Sequence, residues 1–546
     1  MLSSLITDRS KKLKNTHLVN ISNKHINTIR KLLFILTCFL FLLQASQVLS
    51  ATYYIDYNAT NDSANGTAVL TPWKRSPGMV GFAGIYSHSA GDIFVFKGGV
   101  SWPAAVLPLT IGYSGSDGNI DTYMGGQKCG QPGSVSCNGG SAWGAGYPVF
   151  NGGMSLGANS AGIFSTGKSY LMFDGLKILD IGDDATGSGT AINVFHGSSI
   201  EVKNSWLQPE GIQAFSYNNG TGTKSKIYFH DNHISRAGRA VIYGETGAIV
   251  DDVRIYNNVF EGAGNTQLGT YHLDGFMMGN PATAECTSTA TATVTNILFY
   301  NNYFYGDWHA GATAQYYSNG CTDTTTIYNN VFAYENLTCD MAAGTKCFSP
   351  GLVVIYNKDK NIKIYNNTFS NDGFPGYGNG SGTAITVAYL ISPGNVYIKG
   401  NIFSRFGNVI QYQNASTIEI DYNLYFGSGG ETHRLIWNTT PGDTWECATL
   451  AACQSHGFEA HAPAMADPKF VAIPNGTLGS GNWRIKSNSP AKDAFPTASA
   501  PTDKFTTDIT GISRSQSGAW DIGAYESSPL PPSGSSPLPP LNLRVN

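Results

Sequence analysis

The sequence predicts an all-β solenoid, a coil of short strands built from a repeated unit. Charged residues make up 13% of the 546 residues, about half the roughly 25% of an ordinary globular protein. The 64 glycines have no three-residue period, which excludes collagen. A hydrophobic fraction of 41%, with 12% aromatic residues, supplies enough core to exclude global disorder. The repeat itself is one phrase of alternating apolar residues and paired asparagines.

Residues 1–50 are predicted to be a signal peptide. Seven Lys and Arg residues precede the apolar run 32–43, and Val48-Leu49-Ser50 offers small residues for cleavage. This twelve-residue run is shorter than the roughly 20 residues that cross a bilayer, so an uncleaved membrane anchor is the weaker alternative. We therefore expect a protein that is secreted or held at the cell surface, with no membrane span after cleavage.

The charge of the mature chain excludes one class of partner. Residues 51–546 contain 26 Lys and Arg against 36 Asp and Glu, a formal net charge of −10 compared with −4 for the whole chain. Nucleic-acid binding depends on neutralising phosphates with clustered basic residues, and no such cluster is present. We expect no nucleic-acid partner, and an anionic polysaccharide could bind only through a local basic site.

The cysteines indicate an oxidising compartment. Eight remain after the leader, and they fall into four couples close in sequence: 129/137, 286/321, 339/347 and 447/453. Eight cysteines allow 105 pairings, so these couples are a hypothesis. Zinc sites require C-x-x-C or His-containing spacings, which are absent here. Disulfides of a secreted protein are the better interpretation.

The repeated phrase predicts the architecture. Four copies contain Ile- or Phe-Tyr-Asn-Asn-x-Phe, and five weaker copies extend the series. The second Asn or its equivalent falls at positions 175, 204, 232, 258, 302, 330, 367, 401 and 423. Steps of 22 to 44 residues indicate a fixed unit with loops of different length, which is typical of a solenoid with insertions.

Each unit is predicted to contain three short strands. A small residue and an apolar alternation, as in Ala191-Ile-Asn-Val, open the first strand. The phrase supplies a second strand, an Asn turn and a third strand that begins near Phe. Period-two alternation indicates strands. Asn suits the turn because it tolerates the left-handed conformation, and stacked Asn side chains can hydrogen-bond from unit to unit.

At both ends the chain resembles the right-handed parallel β-helix proteins of the pectate-lyase-like superfamily. The segments that carry the resemblance are Ala51-Thr-Tyr-Tyr-Ile-Asp-Tyr, Pro72-Trp-Lys74, Asp467-Pro-Lys-Phe-Val471 and Asp521-Ile-Gly-Ala-Tyr-Glu526. The resemblance implies a solenoid of at least nine rungs. We expect a β-helix with an N-terminal opening segment over 51–465, a closing segment over 466–526 and a Pro/Ser-rich tail over 527–546. On this register Cys286 and Cys321 lie on neighbouring rungs.

The resemblance also implies where a site would lie. Enzymes of this family carry it on the outer face of the first strand and in the loop before that strand. The corresponding loops here are 260–275, 304–312, 332–351 and 369–384. Candidate residues in and beside them are Arg236, Arg239, Tyr243, His272, Asp274, Asp307 and His309. The small residues Gly211, Ala240 and Gly275 are predicted to align on three successive rungs. The residues immediately before them would then stack at one corner, and these are Glu210, Arg239 and Asp274.

These residue types suit cleavage of a polysaccharide. In β-elimination of a uronate, Arg236 or Arg239 would neutralise the carboxylate, His272 or His309 would remove the C5 proton, and Tyr243 or a His would act as acid. Hydrolysis needs two carboxylates instead, which Asp274 and Asp307 could supply. A polysaccharide lyase or glycoside hydrolase, acting as a monomer, is therefore the predicted function. A sugar epimerase would use the same residues as a lyase.

Two alternatives stay open. A Glu-Arg-Asp column also prevents like charges from stacking in a solenoid, and the protein would then be a non-catalytic extracellular surface or matrix protein. Asp183 and Asp184 could bind Ca²⁺, which takes six to eight oxygen ligands. Adjacent aspartates in a turn are more often solvated loop residues.

Overall fold

A computed structural model describes residues 50–527 of the chain, with gaps. The gaps are 132–136, 138–140, 158, 183–188, 212, 238, 245–247, 263–274, 280–293, 307–315, 320–323, 334–351, 357–360, 373–382, 389–393, 428–433, 476, 478, 503–504 and 516–517.

Three large sheets account for most of the strands. The first sheet contains β4 (Leu109–Ile111), β7 (Ala161–Thr166), β10 (Thr190–Phe195), β13 (Gln213–Asn218), β16 (Arg239–Tyr243), β19 (Gly275–Gly279), β22 (Tyr316–Asn319), β25 (Val353–Tyr356), β28 (Thr383–Ala388), β31 (Asn408–Tyr412), β34 (Arg434–Asn438) and β35 (Trp445–Cys447). The second contains β1 (Thr52–Ile55), β2 (Ile93–Phe96), β5 (Asp121–Gly125), β8 (Leu171–Asp174), β11 (Ile200–Lys203), β14 (Thr223–His230), β17 (Ile249–Tyr256), β20 (Val294–Tyr300), β23 (Thr324–Tyr328), β26 (Asn361–Tyr365), β29 (Gly394–Lys399) and β32 (Ala415–Asp421). The third contains β3 (Ser101–Pro103), β6 (Val149–Asn151), β9 (Lys177–Leu179), β12 (Trp206–Gln208), β15 (His233–Ser235), β18 (Val259–Gly262), β21 (Tyr303–Gly306), β24 (Val331–Ala333), β27 (Thr368–Ser370), β30 (Ile402–Ser404) and β33 (Leu424–Phe426).

Successive units of the chain contribute one strand to each sheet. Ten such rungs run from β4–β5–β6 to β31–β32–β33, and each strand pairs in parallel with the strands of the rungs before and after it. The protein is a right-handed parallel β-helix, which confirms the predicted fold and the minimum of nine rungs. Among the described residues, no helix combines the length and hydrophobicity needed to cross a membrane.

Inward-facing side chains fill the coil. The Phe that ends each strong phrase stacks on its equivalent in the next rung, as in Phe260 on Phe304 at 4.3 Å between ring centroids and Phe304 on Phe332 at 5.1 Å. These rings are fully buried. Burial of a large apolar side chain contributes about 1.5–3 kcal/mol, so the repeated Phe is a main source of stability.

Two adjacent residues of each unit form the corner between the second and third sheets, and they have different roles. The first residue adopts the left-handed conformation, with φ of 54° at Asn257 and 55° at Asn301. The second is buried and hydrogen-bonds to the next rung, as Asn258 Nδ2 does to Asn302 Oδ1 at 3.0 Å. The ladder joins residues 232, 258, 302, 330, 367, 401 and 423, which confirms the predicted Asn stack.

In the two earliest weak copies of the phrase, the ladder position lies one residue later than the sequence predicts. Asn204 has φ of 51° and Gly175 has φ of 69°, so both occupy the left-handed position. Ser205, not Asn204, continues the ladder, because its backbone N–H donates to Asn232 Oδ1 at 3.0 Å. The assignment failed because neither copy contains the Asn-Asn pair that fixes the alignment.

A second ladder, made of serines, lines the corner between the first and second sheets. Backbone N–H groups of Ser169, Ser198 and Ser225 donate to the hydroxyls of Ser114, Ser169 and Ser198 at 3.1, 3.0 and 3.3 Å. The residue after each ladder serine is left-handed at Tyr170, Ser199 and Lys226. The sequence predicts only a turn at this corner and not the serine ladder.

The C-terminal segment covers the outer face of the later third-sheet strands. Its four short strands are β36 (Phe470–Ala472), β37 (Asn482–Ile485), β38 (Phe495–Pro496) and β39 (Ala519–Trp520), and a short α-helix over Leu450–Ser455 precedes them. Trp483, Phe495 and Trp520 form one buried cluster with Val259, Tyr303 and other outward residues of the third sheet. The outer face of the earlier strands β9, β12 and β15 does not belong to this cluster.

Two of the predicted disulfides are formed. Cys129 bonds to Cys137 with a Cα–Cα distance of 5.1 Å, and Cys447 bonds to Cys453 with 5.2 Å. The couples 286/321 and 339/347 lie outside the described residues.

Candidate functional site

The described structure covers three of the predicted site residues. Arg236 follows β15, Arg239 opens β16 and Tyr243 closes it. The remaining candidates and the predicted calcium ligands lie outside the described residues and stay predictions: His272, Asp274, Asp307, His309, Asp183 and Asp184.

The predicted Glu-Arg-Asp column has the wrong register. Arg239 lies opposite Gln213 on one side and Gly275 on the other, and a bulge shifts the pairing after Gln213. Glu210 instead pairs with Arg236, at 2.8 Å between Oε1 and Nε. The small residues at the strand starts therefore do not predict the register of the first sheet, because the turn before β13 contains extra residues.

Arg236 is the more accessible of the two arginines. Its backbone is left-handed, with φ of 48°, and 54% of its side chain is exposed. Its partner Glu210 is mostly buried, with 13% of its side chain exposed. The exposed part of the Arg236 guanidinium is therefore accessible to the carboxylate of a ligand while the pair with Glu210 stays formed.

The outer face of the first sheet combines aromatic and amide side chains. Phe195, Asn218 and Tyr243 are direct neighbours on β10, β13 and β16, so they repeat at about 4.8 Å. Phe164 on β7 packs beside Phe195 at 6.0 Å between ring centroids. We call these four residues, with Arg239, the outer strip, and all five are half-buried.

The described parallel strands of the first sheet contain no carboxylate that could act beside the strip, since they contain neither Asp nor Glu. Any acid–base carboxylate here must come from the preceding loops or from the third sheet. Arg239 Nη1 lies 3.5 Å from Met277 Sδ on the next rung, so its aliphatic and charged parts both lie along the strip.

A polar network on the third sheet leads to the same corner. Gln208 Nε2 donates to Glu210 Oε1 at 3.0 Å, and Trp206 Nε1 donates to Ser235 Oγ at 3.1 Å. Burial raises the pKa of Glu210, although Gln208 and Arg236 oppose the shift. A carboxyl with a raised pKa is a better proton donor near neutral pH, and Glu210 is the nearest such group to Arg236.

A histidine–carboxylate pair lies on the same outer face. His233 Nε2 is 2.8 Å from Glu261 Oε2, and the His233 ring stacks on Trp206 at 4.8 Å. Lys177 Nζ lies 4.0 Å from the centroid of the Trp206 ring system. Because Lys177 and His233 both contact the Trp206 ring, this ring is a support for charged groups, not a free platform for a sugar.

Sequence reasoning missed Phe195, Asn218 and the His233–Glu261 pair. The period-two alternation of the first strand already separates inward Ile192 and Val194 from outward Asn193 and Phe195. Following the outward positions from one rung to the next would have identified the outer strip. The His233–Glu261 pair has no such local pattern, since its members are 28 residues apart.

The described residues contain no metal centre. No three His, Cys, Asp or Glu side chains in this part of the chain come together as a metal-binding group. Asp251 accepts hydrogen bonds from Thr295 and Asn296, whereas Asp252 accepts from Tyr228 and Arg254. The adjacent residues Asp251 and Asp252 therefore have separate hydrogen-bond partners within the protein.

Solved structures similar to this chain include three polysaccharide lyases. Pectate lyase Pel9A has 14% identity and a TM-score of 0.36, with 89% of this chain and 98% of that chain covered. A rhamnogalacturonan lyase has 13% identity and a TM-score of 0.36, with 80% and 97% covered. The PL6 family alginate lyase AlyGC has 14% identity and a TM-score of 0.34, with 72% and 52% covered, so the match spans about half of that enzyme.

The similarity concerns architecture. No family model matches the sequence, and neither does any curated protein. The assignment of the parallel β-helix fold to this chain follows from its three large sheets and their rung-by-rung pairing.

Proposed function

We propose that this protein binds a polysaccharide along the outer strip of the first sheet and cleaves it at the corner beside Arg236 and Arg239. The observation that carries the proposal is the column Phe195–Asn218–Tyr243, which repeats aromatic and amide groups at the rung spacing. Such a column suits a linear polymer, because successive sugars meet an aromatic ring, an amide and a second aromatic ring at a regular spacing. Ligand sites typically combine apolar surface with a few placed polar groups.

The charges beside the strip favour an acidic sugar. Arg236 and Arg239 each bring a guanidinium group to this corner, and the strip itself contributes no carboxylate. An arginine guanidinium can bind a uronate carboxylate through two parallel hydrogen bonds. The mature chain is acidic overall, so this local cationic corner is what would hold an anionic polymer.

Cleavage requires groups that move protons. In the proposed lyase reaction, an arginine neutralises the uronate, His272 or His309 removes the C5 proton, and Tyr243 or Glu210 donates a proton to the leaving oxygen. In the proposed hydrolase reaction, Asp274 and Asp307 act as the carboxylate pair. Both schemes use the same cationic corner to position the substrate.

The test is to incubate residues 51–546 with acidic and neutral polysaccharides and to follow unsaturated uronate absorbance and reducing ends together. Absorbance with new ends identifies a lyase, and ends alone identify a hydrolase. Tyr243→Phe and Arg239→Ala are expected to lower turnover by about 10²-fold or more, as for loss of a general acid or a positioning group. Lys363→Ala, on the second sheet, serves as the matched control.

Two results would overturn the proposal. Failure of every polysaccharide to bind or to be cleaved, with an intact β-rich circular dichroism spectrum, would exclude it. Undiminished turnover in His272→Ala and Asp274→Asn, together with Arg239→Ala, would exclude the proposed corner.

The second candidate function is a non-catalytic extracellular surface protein. The Arg236–Glu210 ion pair favours it, because paired charges at a corner stabilise a solenoid without any chemistry. Binding of a polysaccharide without any cleavage product would support this candidate.

A further inference from the structure

A cleft lies at the start of second-sheet strands, beside the corner with the first sheet. Its volume is about 100 Å³, and its apolar lining residues are the partly exposed Ile120 and the buried Leu171 and Ile200. Polar side chains lining the same cleft belong to Asp117, Tyr170, Ser199, Glu201, Lys226 and Tyr228. A cavity needs about 10–15 Å³ of such volume to hold one water, so this cleft has room for a ligand of several heavy atoms.

The backbone beside this cleft is unusual. Tyr170, Ser199 and Lys226 occupy the left-handed region on three successive rungs, with φ of 58°, 55° and 60°. The next two rungs use Asp252 and Asn296 at the same position, and Asx residues tolerate this conformation better. Residues held in left-handed positions cluster at functional sites, since the strain must be balanced elsewhere. Here the less suitable residues are the ones that line the cleft.

The carboxylate of Glu201 is held in place from behind. Its Oε1 lies 2.9 Å from Lys203 Nζ and 3.0 Å from His230 Nε2, and His230 Nδ1 lies 2.6 Å from Asp231 Oδ2. Burial raises the pKa of Glu201, but the hydrogen bonds from His230 and Lys203 outweigh it and lower that pKa to about 2. Glu201 is therefore ionised and oriented before any ligand arrives.

Tyr228 is fixed in a similar way. Its hydroxyl donates to Asp252 Oδ2 at 2.6 Å, and Arg254 lies 5.0 Å from its ring centroid while also donating to Asp252 at 2.7 Å. Groups locked by neighbouring hydrogen bonds lose little entropy on binding. The fixed Glu201 and Tyr228 line the cleft together with the exposed Asp117 and Lys226.

We propose that this cleft is a second saccharide-binding site, which takes one neutral sugar residue. Two carboxylates and one ammonium group give the cleft a formal charge of −1, so a uronate or sulfated sugar is repelled. Ionised carboxylates accept hydrogen bonds from hydroxyl groups, and hydrogen bonds to charged groups are the stronger kind. Ile120, the partly exposed apolar residue of the lining, contacts the carbon face of the ring.

This proposal does not depend on the polysaccharide cleavage proposed for the first sheet. The cleft has no role in catalysis and selects against the acidic sugars that the arginine corner favours. Failure of the first proposal leaves the second one intact, because the two sites are on different sheets and are tested with different ligands and variants.

Calorimetric titration of residues 51–546 with galactose, glucose, mannose and N-acetylglucosamine tests the proposal, with galacturonate as the anionic comparison. We expect saturable binding of at least one neutral sugar and none of galacturonate at this site. Asp117→Asn and Lys226→Asn should each weaken binding about tenfold, the effect of losing one charge-assisted hydrogen bond. Both residues are exposed, and Asn tolerates the left-handed backbone at position 226.

Lys363→Asn is the matched control. Lys363 lies in the same column of the second sheet as Glu201 and Tyr228, five rungs beyond Glu201 and outside the cleft. This variant should bind the sugar with unchanged affinity. Absence of binding by every neutral sugar, or binding that neither cleft variant weakens, would overturn the proposal. Equal binding of galacturonate at a site sensitive to Asp117→Asn would also overturn it, because the charge argument would then be wrong.

Discussion

The Asn ladder makes a quantitative prediction at Asn330. This side chain is fully buried and takes part in five hydrogen bonds. Its Nδ2 donates to Phe299 O, Tyr328 O and Asn367 Oδ1 at 3.0, 3.0 and 2.9 Å, and its Oδ1 accepts from the backbone N–H and Nδ2 of Asn302 at 2.9 and 3.0 Å. Asn330→Ala removes all five at once.

The expected loss of stability follows from these contacts. Each hydrogen bond contributes about 0.5–1.5 kcal/mol net, and a buried donor left without a partner costs about 1–3 kcal/mol. The backbone N–H of Asn302 loses its acceptor, so Asn330→Ala should destabilise the coil by about 4 kcal/mol. Asn395→Ala is the control, because Asn395 makes a rung-to-rung Asn contact with a single bond to Asn361 at 3.0 Å and is only partly buried.

Urea denaturation followed by circular dichroism measures the difference, and hydrogen exchange identifies the rungs that open. Solenoid stability is a sum of local and neighbouring terms, so exchange should rise first in β20, β23 and β26. We expect the control to lose less than about 1 kcal/mol. If both variants lost the same amount, the ladder would contribute no more than a surface contact and the reasoning would be refuted.

Three further predictions concern the C-terminal part of the chain and the disulfides. Burial raises the pKa of Glu459 to about 7 from about 4.5, so the folded state retains a proton that the unfolded state loses. The free energy of unfolding should therefore be highest below pH 4.5 and fall by about 3 kcal/mol as the pH rises to 7. Urea denaturation at several pH values measures this change. A Glu459→Gln variant whose urea midpoint kept the same dependence on pH would contradict the prediction. Arg514→Lys should cost about 3–5 kcal/mol through the loss of hydrogen bonds from a charged group, because the buried guanidinium donates from Nη2 to Asn329 Oδ1 at 2.8 Å and from Nη1 to Asp521 O at 3.2 Å, and one ammonium nitrogen cannot replace both; a melting temperature equal to that of the wild type would argue against it. Peptide mapping without reduction should recover Cys286 joined to Cys321, and a free thiol at either position would exclude that bond.

Glu459 also shows how the ladder ends. Every ladder Asn donates toward the next rung, so the last one, Asn423, needs an acceptor beyond the coil. Glu459 provides it, receiving Asn423 Nδ2 at 2.7 Å together with the Tyr425 hydroxyl. Nothing in the repeated phrase identifies this residue, because it lies 36 residues beyond Asn423 and outside any copy of the phrase.

The sequence by itself determined the solenoid, its minimum of nine rungs and the Asn corner. These features depend on contacts that recur at every unit, such as Phe260 on Phe304, and a recurring contact leaves a recurring pattern. The couples 129/137 and 447/453 could be predicted for a different reason, since the members of each couple are close in sequence. The tertiary structure alone decided the pairing of Glu210 with Arg236 and the grouping of Asp117 with Glu201. They depend on loop lengths and on the bulge after Gln213, which shift the register locally and leave no periodic pattern in the sequence.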